Sequence, residues 1–201
     1  MPTIVPIVEG HSEVESVPVL LRRLLAELRR LDVTIAHPVR IGRLKILRPG
    51  ELERALRYAR FRTEGCDAIL VVLDADDDAP CKLGPQLVTL AGQTLAELPC
   101  KVVLAKRELE SWFLGSIESL RGKRGIADDA EPVEDPEAPR DAKGRLVQLM
   151  TVGRTYVEVD DQPALAAIFD MQMARRRCPS FDKLVRDVQA LLEQLQRLDF
   201  V

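Results

Sequence analysis

Residues 68–78 read AILVVLDADDD, an apolar run that ends in four aspartates within five positions, with only Ala75 between them. Six consecutive apolar residues are typical of a strand that is buried on both faces of a parallel sheet. Carboxylates this close together repel one another. They form either a solvated turn, where Asp is common because its side chain hydrogen-bonds the backbone, or a group of ligands around a positive charge. The stretch predicts a central strand that ends at an acidic edge.

The rest of the chain alternates short apolar runs with segments of helical spacing. Together with the central run, β-branched apolar runs predict strands at residues 3–8, 33–37, 68–73 and 101–105. Apolar residues three and four positions apart predict helices at residues 12–31, 51–62, 87–98, 109–120, 163–174 and from 180 onwards. Ser12 and Ser180 are predicted to cap the first and the last of these helices. The alternation predicts an α/β fold, a parallel sheet flanked by helices, with a C-terminal helical extension.

The domain organisation follows from where this alternation stops. Residues 1–120 are predicted to form the α/β core, and 201 residues are too few for a second domain of full size. Residues 121–145 mix Gly, Pro and charge without apolar periodicity, so we expect a flexible loop or a flap that closes over substrate. Residues 146–201 return to helical spacing and are expected to pack on the core.

Composition narrows the class of protein. The chain is 46% hydrophobic and 30% charged, and its net charge of −3 gives no general attraction to nucleic acid. Residues 40–62 differ, because they carry eight Lys or Arg against two Glu. This stretch is either a phosphate-binding patch or an ordinary solvated helix face.

Cysteine usage and hydropathy bear on the compartment. Four scattered cysteines without a CxxC pair, and only two histidines, exclude the common zinc spacings and favour reduced thiols in the cytoplasm. No apolar run approaches the roughly 20 residues that span a bilayer. The N-terminal residues lack the basic region and long apolar segment of a secretory signal. We therefore expect a cytoplasmic protein that does not contact a membrane.

Acidic side chains follow two of the predicted strands. Glu9 ends the first strand and Asp74 ends the central strand. On a continuing extended backbone Asp76 would point the same way as Asp74, with Asp78 following. Glu13 lies one helical turn beyond Glu9. If the two strands are neighbours, these carboxylates meet at one edge of the sheet, which predicts a site for Mg²⁺ or Mn²⁺.

A third polar stretch follows the predicted strand at residues 101–105. It reads KRELESWF over residues 106–113 and enters a helix. Lys106 or Arg107 could neutralise a phosphate oxygen, and Glu110 could be a further metal ligand or a base. Glu110 is equally explained by the helix dipole, which favours acidic residues in a first turn. Trp112 is predicted to lie in the core.

These motifs resemble the TOPRIM domain of topoisomerases, primases and related nucleases. In that domain a Glu-Gly pair follows one strand and Asp-x-Asp follows a later one. The corresponding stretches in this chain are IVEGHSE at 7–13 and VLDADDD at 72–78. KRELESWF at 106–113 resembles a signature of the TOPRIM-like nucleases of the "overcoming lysogenization defect" type. CPSFDKLV at 178–185 resembles a segment of TOPRIM-like bacterial proteins often encoded beside an ATPase. Together the motifs span most of the chain, and they imply a TOPRIM-like Rossmannoid core.

The resemblance implies which carboxylates hold metal. Glu9, Asp74 and Asp76 take the positions of metal ligands, and Glu13 takes a second acidic position that often follows Glu-Gly. Glu110 matches the acidic position of the third motif. The expected cofactor is Mg²⁺ or Mn²⁺, with Asp78 as an additional acidic neighbour.

The resemblance also implies catalytic residues and partners. Lys106 and Arg107 become candidates for phosphate contact beside the catalytic carboxylates Glu9 and Glu110. The chain has no G-x-x-x-x-G-K-[ST] segment, so energy coupling would need a separate ATPase subunit. Ser180 and Phe181 are expected either near the site or as a helix cap with an apolar anchor.

Three functions remain open at the level of sequence. The first is a metal-dependent nuclease of a bacterial defence or DNA-processing system, with DNA favoured over RNA as its substrate. The second is a receiver-like phosphoacceptor in which Glu9, Asp74 and Lys106 form the site. The third is a non-enzymatic adaptor that binds an ATPase or nucleic acid through residues 40–62. The sequence leaves the oligomeric state open.

Overall fold

The computed structural model describes residues 1–198. Within them, five parallel strands form one sheet: β1 Thr3–Val8, β2 Thr34–Ile35, β3 Val39–Arg40, β4 Cys66–Asp74 and β5 Cys100–Ala105. The helices are α1 Glu13–Glu27, α2 Arg43–Ile46, α3 Glu51–Arg62, α4 Pro80–Thr94, α5 Glu110–Leu114, α6 Ala142–Gln148, α7 Glu158–Ala166, α8 Met171–Arg177 and α9 Pro179–Leu198, with a 3₁₀ turn at Ile117–Leu120. The predicted α/β fold with a parallel sheet, flanking helices and a C-terminal helical part is confirmed.

The strand order places β1 and β4 side by side at the centre of the sheet. The order is β2-β1-β4-β5, and β3 also pairs with β1. The chain leaves β1 towards β2 and β3 on one side, and returns to β4 on the other side of β1. In an open parallel sheet such a switch of direction leaves a crevice at the carboxyl ends of the two strands, where ligands bind.

Two apolar layers cover the sheet, one on each face. One layer contains buried residues of α1, α5 and the C-terminal helices, packed on alternate side chains of the strands, for example Ile4 and Leu70. The other layer contains buried residues of α3 and α4, packed on the opposite alternation, for example Val5 and Val71. The predicted burial of the central strand on both faces is therefore confirmed, because residues 68–73 are at most 3% exposed.

The strand predicted at residues 33–37 is shorter than expected and is followed by a second short strand. Thr34 and Ile35 pair with the start of β1, whereas Val39 and Arg40 pair with its end. Pro38 lies between the two strands. Because proline has no backbone N–H to donate, it interrupts a ladder of this kind.

Ser12 occupies the predicted N-cap position of α1 but its side chain does not cap the helix, and the predicted cap at Ser180 is wrong. Ser12 precedes α1 but has a helical backbone conformation, and its hydroxyl donates to Glu158 Oε1 (2.6 Å) instead of capping α1. Ser180 lies inside α9, which begins at Pro179, and its hydroxyl contacts Glu137 Oε1 (2.5 Å) and accepts from Trp112 Nε1 (2.8 Å). Both hydroxyls therefore connect distant segments of the chain. Trp112 is fully buried, as predicted.

The segment predicted as a loop has neither helix nor strand between residues 121 and 141, and α6 begins at Ala142. Several contacts connect this segment to the body of the protein. Ile126 forms a β-bridge with Met150, Arg121 donates to the carbonyl of Ala130, and Glu137 accepts from the backbone N–H of Ser180. Ile126 and Ala130 also belong to the apolar layer that holds α1.

None of the helices within residues 1–198 combines the length and the apolar character that crossing a membrane requires.

Candidate metal centre

The crevice between β1 and β4 holds three carboxylates. Glu9 directly follows β1, Asp74 is the last residue of β4, and Glu13 is the first residue of α1. The pairing of Ile7 with Val71 brings the two strand ends level with each other. One carboxylate oxygen from each of the three residues lies within 4.8 Å of the others. The sequence prediction that Glu9, Glu13 and Asp74 converge is confirmed.

The turn after β1 positions the Glu13 carboxylate. Glu13 Oε2 accepts from the backbone N–H groups of Glu9 (3.0 Å) and Gly10 (2.6 Å). A Cβ atom at residue 10 would lie 3.1 Å from Glu13 Oε1, closer than side chains normally pack. The absence of a side chain at Gly10 therefore lets the Glu13 carboxylate lie close to the backbone of the turn. This explains why a glycine suits the position after Glu9.

Backbone donors position the other two carboxylates. Asp74 Oδ1 accepts from the N–H of Leu109 (2.8 Å), at the start of the segment that follows β5. Glu9 Oε2 accepts from the N–H of Asp74 (3.3 Å). The ends of three neighbouring strands thus supply and orient the cluster of Glu9, Glu13 and Asp74.

Glu110 is a fourth carboxylate near this cluster, close enough for its charge to act on Asp74. Its side chain is fully buried, and its Oε1 accepts from Tyr156 Oη (2.9 Å) and Gln162 Nε2 (3.0 Å). Its Oε2 is buried without any hydrogen-bond partner within residues 1–198. A buried carboxylate oxygen without a partner is costly, and its charge acts on Asp74. Three converging carboxylates and this unpartnered oxygen fit a hard divalent cation, which takes oxygen ligands.

Burial and mutual repulsion raise the pKa values of these acids. Burial raises the pKa of Glu9 to about 7, with Glu13 and Asp76 adding to the effect, and burial raises that of Glu110 to about 7 as well. The pKa of Asp74 lies well above its usual range because of burial and the charges of Glu13, Glu110 and Glu9. Burial also raises the pKa of Glu13, although the N–H groups of Gly10 and Glu9 oppose the shift. The charges of Arg43 on Glu9 and of Lys143 on Glu13 and Asp74 oppose these shifts without cancelling them.

These shifts predict how the stability of the metal-free protein depends on pH. A carboxyl whose pKa is higher in the folded state favours folding below its unfolded pKa, near 4.5, and loses that contribution as the pH rises through about 7. We expect the Tm in EDTA to fall from pH 5 to pH 7.5. Saturating Mg²⁺ or Mn²⁺ should reduce this fall, because a cation favours the ionised carboxylates. Thermal melts followed by circular dichroism would measure both.

Glu110→Gln serves as the internal control, because it removes one of the two groups with a pKa of about 7. Its Tm in EDTA should vary less with pH than that of the wild type. A wild-type Tm that is constant or rises from pH 5 to pH 7.5 would contradict the electrostatic description of the cluster.

The other aspartates of the DADDD stretch do not point with Asp74, contrary to the prediction. The strand ends at Asp74, and Asp76 has a left-handed backbone (φ 47°), so the extended alternation stops. Asp76 pairs with Arg43 Nε (2.8 Å), and Asp78 also pairs with the Arg43 guanidinium. Asp76 remains close enough for its charge to act on Glu9. In this structure Asp76 and Asp78 bind an arginine instead of completing the carboxylate cluster.

The positive charges expected among the aspartates come from three separate segments. Arg43 also donates to the backbone carbonyls of Asp74 and Ala75. Asp77 pairs with Arg107 Nη1 (3.0 Å) and with Arg140. These arginines lie in α2, after β5 and in the irregular segment before α6. Their positions depend on the fold, and nothing in the DADDD stretch identifies them.

Lys106 and Arg107 lie beside the cluster but do not touch it. Arg107 has a left-handed backbone (φ 67°) and its guanidinium donates to the carbonyl of Asp76 (3.1 Å) as well as to Asp77. Lys106 is close enough to Glu137 for its charge to act on that carboxyl. Arg107 therefore stabilises the acidic turn, and no contact with Glu9 or Asp74 links Lys106 to the site.

Sequence reasoning missed Lys143, which lies in the segment expected to be a flexible loop. Its Nζ is 3.1 Å from Glu158 Oε2. Burial lowers the pKa of Lys143, but the charges of Glu110, Glu158 and Asp74 outweigh this and raise it overall. Lys143 is thus the ammonium group next to the carboxylate cluster. No motif or spacing around residue 143 signals this position.

The C-terminal helical part contributes the remaining neighbours of the site. Tyr156 and Gln162 hold Glu110, while Glu158 accepts from Ser12 and pairs with Lys143. Burial and the Glu110 charge raise the pKa of Tyr156 far above its usual range, so it remains a donor. These residues belong to and flank α7, which packs on α1. The site is therefore built by both the α/β core and the C-terminal helices.

An open depression of about 910 Å³ lies elsewhere, at the other end of the sheet. Its lining includes Gly65, just before β4, and Leu98, just before β5. It faces the amino ends of the strands, whereas ligands of open parallel sheets bind at the carboxyl ends. The carboxylate cluster is the better candidate for chemistry.

Comparison with known proteins gives one match. The family model described as Domain of unknown function (DUF4276) matches residues 8–189, which include all four carboxylates, Lys143 and the first half of α9. No curated protein and no solved structure matches the chain. The match covers most of the chain, the α/β core and the C-terminal helices together, and this protein belongs to the DUF4276 family.

Proposed function

We propose that this protein is a divalent-metal-dependent phosphodiesterase that acts on nucleic acid. The observation that carries the proposal is the meeting of Glu9, Glu13 and Asp74 at the switch point of the sheet, near the buried and unpartnered carboxylate of Glu110 whose charge acts on Asp74. Three converging carboxylates, two of them buried, are not explained by a solvated turn. Such a set suits Mg²⁺ or Mn²⁺, which take oxygen ligands.

The residues divide into ligands and proton carriers. Glu9, Glu13 and Asp74 would hold the cation, and Glu110 Oε2 would complete or adjust its surroundings. A bound cation of this kind polarises a phosphoryl oxygen and makes a bound water more acidic. With a pKa of about 7, Glu110 can take up or release a proton at Oε2 near neutral pH.

Lys143 supplies the positive charge that such a reaction needs. Negative charge develops on phosphate oxygens during phosphoryl transfer, and a fixed cation nearby stabilises it. Lys143 Nζ lies at the edge of the acidic cluster, where its charge acts on Glu110 and Asp74. We assign this role to Lys143 in preference to Lys106 and Arg107, because Arg107 is paired with Asp77 and the charge of Lys106 acts on Glu137.

The geometry supports a phosphoacceptor less well. A receiver-like site needs one exposed nucleophilic aspartate, but Asp74 is only 6% exposed and is surrounded by three other carboxylates. The lysine expected to contact it, Lys106, is close enough to Glu137 for its charge to act on that carboxyl. A non-enzymatic adaptor would not account for the raised pKa values of these carboxyls or for the unpartnered Oε2 of Glu110.

The wider setting is part of the same proposal. The resemblance to TOPRIM-like proteins supports a role in bacterial defence or DNA processing with a separate ATPase subunit, and DNA as the favoured substrate. Four cysteines without a disulfide among the described residues support a cytoplasmic location.

The test is a cleavage assay on single- and double-stranded DNA and RNA in Mg²⁺, Mn²⁺ or EDTA, with Glu13→Gln as the variant. We expect cleavage only with metal, and a loss of rate of at least about 100-fold in Glu13→Gln, because loss of a residue that holds the cation removes about 3 kcal/mol or more of transition-state stabilisation. Glu15→Gln is the matched control, because Glu15 is exposed on the same helix two residues away. It should retain the wild-type rate.

Two results would contradict the proposal. Equal cleavage by Glu13→Gln and the wild type would show that the carboxylate cluster is not the site. Stable aspartyl phosphate after incubation with acetyl phosphate, without any cleavage, would favour a phosphoacceptor instead.

A further inference from the structure

The surface formed by α2 and α3 carries an unusual excess of positive charge. Within residues 40–62 seven cations are exposed: Arg40, Lys45, Arg48, Arg54, Arg57, Arg60 and Arg62. The acids in this range are Glu51 and Glu53, both only partly exposed. The whole chain has a net charge of −3, so this excess is a property of one face. We call it the α2–α3 face.

Most of these cations are not neutralised. Lys45 and Arg54 share one carboxylate, Glu51, at 3.8 and 3.6 Å. In the described chain, residues 1–198, no carboxylate lies within 4.0 Å of four of the others: Arg40, Arg48, Arg57 and Arg60. A group of unpaired cations on one face attracts a polyanion.

Two aromatic side chains stand among these cations. Tyr58 is 53% exposed and Phe61 is 84% exposed. They lie one helical turn apart on α3, on the same side as Arg54 and Arg57, whereas Leu52, Ala55, Leu56 and Ala59 face the core. The guanidinium carbon of Arg62 lies 5.8 Å from the centre of the Tyr58 ring. Exposed aromatic rings between cations are the usual platform on which unpaired bases stack.

One end of the α2–α3 face, with Arg40, Lys45, Arg54 and Tyr58, adjoins the carboxylate cluster. Arg60 and Phe61, at the other end of α3, line the depression at the amino ends of the strands. A depression of about 290 Å³ is lined by Arg40, Ile41, Lys45, Arg54 and Tyr58, together with neighbouring residues of β3 and α3. The N–H of Ile41 donates to the carbonyl of Val8 (2.9 Å), the residue immediately before Glu9. Arg43, between Ile41 and Lys45 in the chain, contacts the carbonyl of Asp74. A ligand in the depression is therefore next to the end of β1.

We propose that the α2–α3 face binds single-stranded nucleic acid and directs it towards the carboxylate cluster. The arginines contact the phosphates, and Tyr58 and Phe61 stack on unpaired bases. A duplex would present its phosphates to the arginines but keep its bases inside, so the aromatic rings select the single strand. The proposal deepens, and rests on, the phosphodiesterase function proposed for the same site.

The test measures binding without cleavage. Wild-type protein in EDTA is titrated against fluorescein-labelled 20-nucleotide single strands of DNA and RNA and a 20-base-pair duplex, and anisotropy is followed at several salt concentrations. In Arg54→Glu/Arg57→Glu we expect the Kd for single strands to rise at least tenfold. The slope of log K against log salt should fall by about 0.7 for each phosphate that the variant no longer neutralises.

The aromatic variant tests strand selection. In Tyr58→Ala/Phe61→Ala we expect affinity for single strands to fall by at least about 5-fold, since each stacked base that is lost costs about 1–3 kcal/mol, or roughly 5- to 150-fold, while duplex affinity stays unchanged. Both side chains are exposed, so Tm should change little. A variant that binds single strands like the wild type would overturn the proposal.

The control for charge is Arg22→Glu/Arg176→Glu. It makes the same change in net charge on exposed residues of α1 and α8, which pack on the opposite face of the sheet. Equal weakening by this control, or no binding by the wild type, would also overturn the proposal. Binding that follows these expectations in a protein that cleaves nothing would refute the enzyme and leave the α2–α3 face established.

Discussion

Asp74→Asn is expected to lower the rate of metal-dependent cleavage at least about 1,000-fold. Asp74 is buried, and the charges of Glu9, Glu13 and Glu110 all raise its pKa. Loss of a metal ligand removes several kcal/mol of stabilisation of the transition state, and about 4 kcal/mol corresponds to a factor of 1,000 in rate. The amide oxygen of Asn can still accept from Leu109 N–H, so the local backbone should be preserved.

The same substitution should have opposite effects on stability with and without metal. In EDTA near neutral pH the Tm should rise, because burial and the neighbouring acids raise the pKa of Asp74, and folding therefore has to overcome the ionisation of this carboxyl in the unfolded chain. The neutral amide of Asn carries no such cost. In the wild type a cation at 100 times its Kd adds about 2.7 kcal/mol, or about 5–10 °C in Tm for a chain of this size. Asp74→Asn should lose most of this gain. Differential scanning calorimetry in EDTA and in Mg²⁺ or Mn²⁺ measures both effects.

Asp129→Asn is the matched control, because it makes the same chemical change at an exposed residue. It should retain both the cleavage rate and the rise in Tm with metal. A similar rise in Tm in Asp74→Asn and the wild type would place the metal elsewhere. A fall in the Tm of Asp74→Asn in EDTA would contradict the description of the cluster as repulsive.

Phe181→Ala is expected to reduce the free energy of unfolding by about 3–5 kcal/mol, the range for removing a buried aromatic side chain. Phe181 is fully buried, and its ring lies 5.2 Å from that of Trp112 and 5.5 Å from that of Phe169. Truncation leaves a cavity where α5 and the C-terminal helices meet. Urea titration followed by Trp112 fluorescence would measure the loss.

Phe61→Ala is the control for this prediction. Phe61 is 84% exposed, so its truncation should change the free energy of unfolding by less than about 0.5 kcal/mol. Because Phe181 packs on residues of the core, we also expect a single unfolding transition for the core and the C-terminal helices in both variants. Two separate transitions, with only one affected by Phe181→Ala, would show that residues 146–198 unfold independently.

Local patterns in the sequence were sufficient for the parallel sheet with flanking helices, although the single helix predicted at residues 163–174 is two helices, α7 and α8, in the structure. The strands at residues 3–8, 68–73 and 101–105 and the helix at 51–62 appear where apolar periodicity predicts them, because a period of two or of 3.6 reports directly which side chains are buried. The crevice was also predictable. Parallel strands end at one edge of a sheet, so acids that follow two such strands meet if the strands are neighbours.

The sequence by itself thus determined the α/β fold and the meeting of Glu9, Glu13 and Asp74. Only the tertiary structure decided that Asp76 and Asp78 pair with Arg43. Their direction depends on the left-handed backbone of Asp76, just after the end of β4. It likewise brought Lys143 and the partners of Glu110 to the site from more than 30 residues away in the chain. Contacts between distant segments leave no periodic signal, since each depends on how whole elements pack.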